Sequence, residues 1–336
     1  MSDNQHSYNL LKVQTNSRFF VAICKRVSNK HSFVCFGVEM NGEDVILGAY
    51  GKTIDFEGSG INPDASNSIG AFFRDCLLFV KPGNKYTLAN ENIEPQWKYR
   101  FSYKAHPSNY EQYLKNIDYL DKLSSSRTDN FLLSAFVPVS EVSGNGEVVM
   151  AWRNFEDPPG TGTDFSQDYK VHYDFGFDNN CRHSAIALTK KSTGLQDLGP
   201  GVSEKFFKKM PLPGYLFGGA ISGEQARPIL ILPFSPALLL NLDAEKRKVA
   251  VKLYNRLEEM ILIAGKNPVT DRKFLAIRDL YEKITQDNEI NMPAVIADCF
   301  EKNKILISTH RRFHWWQKTK TEKMFNELMP PETPNL

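Results

Sequence analysis

Residues 31–52 read HSFVCFGVEMNGEDVILGAYGK and predict two antiparallel strands joined by a tight turn. Both halves are rich in β-branched and aromatic residues, and Asn41-Gly42 separates them. Asn-Gly favours a type I′ turn, because both central positions of that turn need positive φ. A third strand-forming run, SRFFVAICKRV, begins at residue 17 and precedes the hairpin. The stretch therefore predicts an antiparallel sheet with this hairpin at its centre.

The residues that follow the hairpin mix helix, strand and loop. Residues 106–123 place apolar side chains at helical spacing and predict an amphipathic helix. Residues 130–142 and 147–155 predict a further pair of strands around a Ser-Gly-Asn-Gly turn. Loops are predicted over 51–70 and 157–168, which are rich in Gly, Ser, Pro and Asp. These elements predict the α+β class.

An all-helical pattern takes over after residue 240. Asp243 can cap a helix that Gly265 would end. Helical spacing of apolar residues then recurs over 271–284, 292–307 and 310–329.

The change of pattern divides the chain into three segments. We predict an α+β domain of residues 1–240, a four-helix module of residues 241–330 and a flexible tail of residues 331–336.

The composition does not predict a strongly charged surface that would bind an oppositely charged partner. The 336 residues carry 41 Lys and Arg against 39 Asp and Glu, a net charge of +2, so we expect no nucleic-acid partner. The five cysteines are scattered, and no CxxC or HExxH spacing occurs. We therefore expect reduced thiols, no metal and no cofactor. The N-terminus lacks the pattern of a secretory signal, and prolines interrupt the longest apolar stretch, 228–242, so we expect no membrane span.

Cys181 lies in FDNNCRHSAIALTKKSTG, residues 177–194, and is a candidate nucleophile. A thiol attacks as thiolate, and a helix N-terminus favours that anion. Asn179 or Asn180 can cap a helix here, and Gly194 can end it. The alternative role for Cys181 is that of a small apolar residue at a helix start, the role we assign to the cysteines in apolar runs.

A cysteine nucleophile needs a base, and the histidines differ in their suitability. His183 would project roughly 200° around the helix from Cys181, so we exclude it. His310 and His314 belong to the helical module. His172 remains an alternative, and His31, at the start of a rigid strand, is a better-placed general base.

The order of three segments resembles that of circularly permuted papain-like proteins of the NlpC, PPPDE and lecithin:retinol acyltransferase type. The segments are HSFVCFGVEMNGEDVILGAYGK, YEQYLKNIDYL and YKVHYDFGFDNNCRHSAIALTKKSTGL, within residues 17–200. In that family a strand that begins with the base histidine precedes the helix that carries the nucleophile. The resemblance implies Cys181 as nucleophile, His31 as base and an antiparallel sheet packed on the nucleophile helix.

A third group would orient the histidine. If the hairpin turns at Asn41-Gly42, His31 lies opposite about residue 52, which brings Asp55 or Glu57 near it. We assign Asp55, with Asp174 and Asp178 as competitors. Asn180 can help to bind an oxyanion, although capping of the helix is the role we favour.

The C-terminal module interleaves aromatic and basic residues over 299–329. We expect the aromatic side chains to pack the helices, with contact to an anionic membrane as an alternative. The module resembles the small C-terminal helical modules of effector proteins that intracellular Gram-negative pathogens inject through type IV secretion. This resemblance implies action in host cytoplasm on a host protein.

The resemblances imply a cysteine-dependent amide hydrolase that acts through an acyl-enzyme on a peptide, an isopeptide or a glutamine side chain. Lipid-ester hydrolysis or acyl transfer is an alternative on the same fold. A catalytically inert module that binds a host protein or a membrane is the other alternative.

Overall fold

A computed structural model describes residues 10–26, 31–54, 86–91, 101–125, 133–155, 171–172, 181–202, 220–221, 229–262, 268–287, 289–310 and 317–329. The strands are β1 Leu10–Gln14, β2 Arg18–Arg26, β3 Ser32–Met40, β4 Glu43–Ile54, β5 Tyr86–Asn90, β6 Phe101–Ser108, β7 Ser134–Pro138, β8 Glu147–Asn154 and β9 Ala220–Ile221. The helices are α1 Tyr110–Ser125, α2 Cys181–Thr193, α3 Ala244–Ile261, α4 Pro268–Gln286, α5 Met292–Lys302, α6 Lys304–Ser308 and α7 Lys320–Leu328. The protein is a mixed α+β structure with antiparallel sheets.

The larger sheet has the strand order β5-β4-β3-β2-β6-β9, and the smaller has the order β1-β8-β7. The predicted turn between β3 and β4 is confirmed, because Asn41 has φ 53° and Gly42 has φ 79°. The pairing places Phe33 opposite Gly51 and Gly51 opposite Ala89. The central hairpin therefore lies side by side with β5.

The larger sheet buries both of its faces. Helix α2 packs on one face through Ala185, Ile186 and Leu188, which share a cluster with apolar residues of β2, β3 and β4. The opposite face carries a second cluster that includes Phe33 and Ile231. Because both faces of the sheet are buried, the position left for a catalytic site is an edge of the sheet where a strand ends beside the start of a helix.

Two boundaries predicted for the α+β part of the chain were wrong. Residues 106–108 are not helical but continue β6, where His106 pairs with Val21 of β2. The helix begins at Tyr110, because the Asn109 side chain accepts a hydrogen bond from the Gln112 N–H at 2.8 Å. The loop predicted from residue 51 begins later, because residues 51–54 continue β4 alongside β5. Residues 55–70 and the loop at 157–168 lie outside the described residues.

The C-terminal helices α3 to α7 share their own apolar cluster, which also takes in Leu230 and Leu232. Asp243 caps α3, as predicted. The last predicted helix, over 310–329, was wrong at its start, because Thr319 and Glu322 form a capping box that begins α7 at Lys320. The helix predicted over 292–307 is divided at Asn303 into α5 and α6.

Two ion pairs join the larger sheet to this helical segment. Arg18 of β2 contacts Glu282 of α4 at 2.9 Å, and Lys104 of β6 contacts Glu258 of α3 at 2.6 Å. The domain boundary near residue 240 stays a prediction. None of the helices in the described part of the chain is long and apolar enough to cross a membrane.

Candidate active site

Cys181 is the first residue of helix α2. The predicted helix start and its stop at Gly194, which has φ 70°, are both confirmed. Burial of Ile186 and Leu188 against the sheet fixes the direction of the helix. The thiol is therefore held at a helix N-terminus, where the helix dipole favours its anion.

His31 lies immediately before β3 and forms a hydrogen bond with Cys181. The imidazole stacks on Phe33, with ring centroids 6.2 Å apart and ring planes 12° from parallel. The backbone of Ser32, the residue after His31, also stabilises the anionic form of the Cys181 sulfur and helps to lower its pKa. Two residues 150 positions apart in the chain thus meet where the start of β3 faces the start of α2.

Glu91 is the acidic partner of His31. Its Oε1 lies 2.5 Å from His31 Nε2, and the exposed fractions of the two side chains are 10% and 18%. The Glu91 N–H donates to the Ala49 carbonyl oxygen at 2.9 Å, which extends the pairing of β5 with β4 by one residue. A partly buried carboxylate in this place orients the imidazole and stabilises its protonated form.

Gly51 of β4 lies between the two partners. A Cβ atom at this position would collide with both Glu91 Oε1 and His31 Nε2. The strand pairing explains the crowding, because Phe33, Gly51 and Ala89 stand opposite one another on β3, β4 and β5. A glycine here leaves the space through which the carboxylate reaches the imidazole.

The environment favours a thiolate–imidazolium pair. Burial alone would lower the pKa of His31, but hydrogen bonds to Cys181 and Glu91 outweigh it and raise the pKa from 6.5 to about 10. Burial alone would raise the pKa of Cys181, but the hydrogen bond and charge of His31, the backbone of Ser32 and the charge of Lys52 outweigh it and lower that pKa. Each partner thus stabilises the charged form of the other.

Lys52 is a buried cation beside the site. Its Nζ donates to the carbonyl oxygen of Val171 at 2.9 Å, and the residue is 4% exposed. Its charge helps to lower the pKa of Cys181. Lys52 is therefore an electrostatic support of the thiolate.

His172, the alternative base, is engaged elsewhere. Its Nδ1 lies 2.7 Å from Ser184 Oγ, and its Nε2 lies 3.2 Å from the Tyr119 hydroxyl. Burial and the charge of Lys52 lower its pKa to about 3. A fully buried, neutral imidazole with two hydroxyl partners has a structural role beneath α2.

The remaining assigned residues lie outside the described part of the chain. They are Asp55 and Asn180, together with the alternatives Glu57, Asp174, Asp178 and Asn179. Their roles stay predictions. Among the described residues, the carboxylate that contacts His31 is Glu91.

The other described cysteines have different surroundings. Cys24 and Cys35 are buried in the sheet, with their sulfur atoms 3.8 Å apart, and burial raises the pKa of Cys24. Burial also raises the pKa of Cys299 in α5. Cys76 lies outside the described residues.

Sequence reasoning missed Glu91 and Lys52. Residues 86–91 read YTLANE, a short alternating run that ends in a carboxylate, and this alternation was the available signal. Lys52 belongs to the predicted hairpin, but a lysine near a strand end is usually exposed, so its burial could not be foreseen.

No group of three or more His, Cys, Asp or Glu side chains within the described ranges is arranged to hold a metal ion. Comparisons of the chain with protein-family models, with curated proteins and with solved structures find no match.

Proposed function

We propose that this protein is a cysteine-dependent amide hydrolase in which Cys181 is the nucleophile, His31 the general base and acid, and Glu91 the group that orients His31. The observation that carries the proposal is the position of His31 between Cys181, at the start of α2, and Glu91, whose Oε1 lies 2.5 Å from His31 Nε2. A nucleophile paired with a base that a third group orients is the arrangement common to acyl-transfer catalysis.

The proposed reaction proceeds through an acyl-enzyme. The Cys181 thiolate attacks the substrate carbonyl carbon and forms a C–S bond, and the carbonyl oxygen takes up the negative charge. The His31 imidazolium then donates its proton to the leaving nitrogen as the C–N bond breaks. His31 next removes a proton from water, which attacks the acyl group, breaks the C–S bond and releases the acid.

The proposal includes the permuted papain-like fold. Two findings support it: the base histidine stands at the start of a strand that precedes the nucleophile helix in the chain, and that helix packs on an antiparallel sheet. The host-cell site of action rests on the resemblance of the C-terminal residues and is part of the same proposal.

The test is the capture of an acyl-enzyme. The full chain is incubated with a casein digest, an isopeptide-linked dipeptide, a glutamine peptide with a fluorescent amine, and a fatty-acyl nitrophenyl ester, followed by intact-mass and peptide analysis. We expect an acyl adduct on Cys181 with at least one amide and none in the Cys181→Ala variant. Turnover of the ester alone would assign the lipid-ester function instead.

Cys299→Ser is the matched control, because that cysteine lies in α5 and packs against the apolar cluster of the C-terminal helices. It should keep full activity. If a folded chain with a reactive Cys181 acylates with none of the four substrates, the amide-hydrolase proposal fails and a binding role takes its place.

A further inference from the structure

A cavity lies within the C-terminal helices and has no part in the proposed amide chemistry. Its volume is about 170 Å³. The last turns of α3 contribute Arg256 and Met260, and the first turns of α4 contribute Thr270 and Lys273. The rest of the lining comes from Thr309 and His310 and from residues 317–320, which lead into α7.

The lining of this cavity is cationic. Among the described residues that line it, none is acidic and four carry a positive charge: Arg256, Lys273, Lys318 and Lys320. Two carboxylates lie beside the cavity: Glu259 Oε2 lies 2.8 Å from Arg256 Nη1 and 3.5 Å from Lys320 Nζ, and Glu322 Oε2 accepts a hydrogen bond from the Thr319 N–H at 3.3 Å. These two carboxylates offset part of the charge of the four cations and leave the cavity positive, the condition that attracts an anion.

The buried cations are held rigidly in place. Lys273 is 6% exposed, and its Nζ donates to the carbonyl oxygens of Ile307 and Thr309 at 2.7 and 2.8 Å. Arg256 is 8% exposed and donates through Nε and Nη2 to Thr321 Oγ1 at 3.2 and 3.1 Å. Such anchoring lowers the entropic cost of ligand binding at these side chains.

Thr270 supplies an independent sign of a ligand. It lines the cavity in the first turn of α4, is 2% exposed, and its hydroxyl has no hydrogen-bond partner in the described residues. Buried hydroxyl groups are normally hydrogen-bonded, so a hydroxyl without a partner beside a cationic cavity indicates an acceptor that binds there.

The start of α4 adds to the same preference. Its first turn contributes to the lining, and a helix N-terminus carries a partial positive charge, whereas the Glu322 carboxylate already caps the start of α7. Lysine, arginine and hydroxyl donors at helix N-termini are the usual set for a phosphate group.

We propose that this cavity binds a phosphate monoester, carried either by a small soluble molecule or by a lipid headgroup. Lys318 and Lys320 contact the phosphate oxygens from the exposed side, and Thr270 donates a hydrogen bond from the buried side. Arg256 and Lys273 supply the field that holds the anion.

The experiment is calorimetric titration of the full chain with inorganic phosphate and with inositol 1,4,5-trisphosphate. Sedimentation with phosphatidylcholine vesicles forms a second arm, with the vesicles carrying either phosphatidylinositol 4-phosphate or an equal charge of phosphatidylserine. We expect inositol trisphosphate to bind with Kd below about 1 mM and more weakly as salt is added. Selective sedimentation with the phosphorylated lipid would assign a headgroup as the source of the phosphate, and binding in solution alone would assign a soluble ligand.

Four variants make the proposal falsifiable. Lys318→Gln with Lys320→Gln should weaken binding by about tenfold or more, whereas Lys323→Gln, on α7 outside the lining, should not change it. Thr270→Val, of nearly equal volume, should weaken binding several-fold without lowering the melting temperature of the free protein. Glu259→Gln removes the opposing charge and should tighten binding, a gain that a misfolded protein would not show.

The absence of binding to both phosphate probes would overturn the proposal. Equal affinity of the wild type and the double lysine variant would overturn it as well. Neither result bears on acylation of Cys181, so the two proposals fail separately.

Discussion

Glu91 contacts His31 across Gly51, a position of β4 that has no side chain to separate them. The 2.5 Å approach joins a residue that follows β5 to a residue that precedes β3, with β4 running between the two strands. His31 in turn interacts non-covalently with Cys181 at the start of α2. The proposed catalytic series therefore depends on the register of three strands as well as on the helix that carries the thiol.

Gly51→Ala tests that dependence. The added methyl group would collide with Glu91 Oε1 and His31 Nε2, so we expect kcat to fall by about 10²-fold because the base is displaced. Activity and melting temperature are measured together. Gly144→Ala is the matched control, since a Cβ there meets nothing within 4 Å. Full activity in Gly51→Ala would contradict the assigned role of Glu91.

Glu91→Gln should change the pH dependence of the reaction. The wild-type rate should rise as Cys181 ionises and fall as His31 loses its proton at about pH 10. The neutral amide cannot stabilise the imidazolium, so the pKa of His31 should fall and the alkaline limb should move to lower pH. The rates of the two proteins are measured over about pH 5–11, a range that covers both limbs of the profile. An unchanged alkaline limb would exclude Glu91 as the partner, and the exposed Glu141→Gln serves as control.

Lys52→Met should raise the pKa of Cys181, because it removes a buried positive charge that favours the thiolate. We expect slower alkylation of Cys181 at pH 7 and a profile displaced to higher pH. Lys12→Met is the control: the side chain of Lys12 is 71% exposed, so this variant should leave the pH profile of Cys181 unchanged. Equal profiles for Lys52→Met and the wild type would show that Lys52 only supports the local packing.

Lys104→Met tests the contact between sheet and helices. Lys104 is buried, and its Nζ donates to the Leu198 carbonyl oxygen and to Glu258 Oε1, both at 2.6 Å. Its removal leaves Glu258 without its cation, and we expect a loss of about 3 kcal/mol in the free energy of unfolding. Chemical denaturation measures it. Lys122→Met breaks an exposed helical pair with Asp118 and should cost less than about 0.5 kcal/mol. Similar losses for both variants would contradict this assignment.

Local patterns predicted the parts of the site that depend on neighbouring residues. Asn41-Gly42 marks the hairpin through its backbone preference, and Cys181 precedes a run of apolar residues at helical spacing that Gly194 ends. The start of a strand at His31 follows from the alternation and β-branched residues after it. These signals act over a few residues, so the sequence alone could place them.

Pairing between distant strands was not accessible in the same way. Thirty-one residues separate β4 from β5, and no local signal states which strand lies beside β4 or in what register. Glu91 reaches His31 only because of that pairing. Counting residues from the turn at Asn41-Gly42 predicted Asp55 for this role, and that assignment stays a prediction, because Asp55 lies outside the described residues.

The same limit applied to the helix starts. His106 looked like part of a helix until the pairing of β6 with β2 showed it to be a strand residue. The start of α7 at Lys320 could have been predicted from the capping box of Thr319 and Glu322. The helical spacing of apolar residues before Thr319 instead led to a predicted start at residue 310.

The rate of iodoacetamide alkylation as a function of pH tests the central claim most directly. Peptide mass spectrometry resolves Cys181 from Cys299 in the wild type and in His31→Ala. We expect Cys181 to react first, with a midpoint below that of an ordinary thiol and below that of Cys299, and we expect His31→Ala to move the Cys181 midpoint upward. A Cys181 that reacts no faster than Cys299, or a midpoint that stays in place without His31, would contradict the thiolate–imidazolium pair.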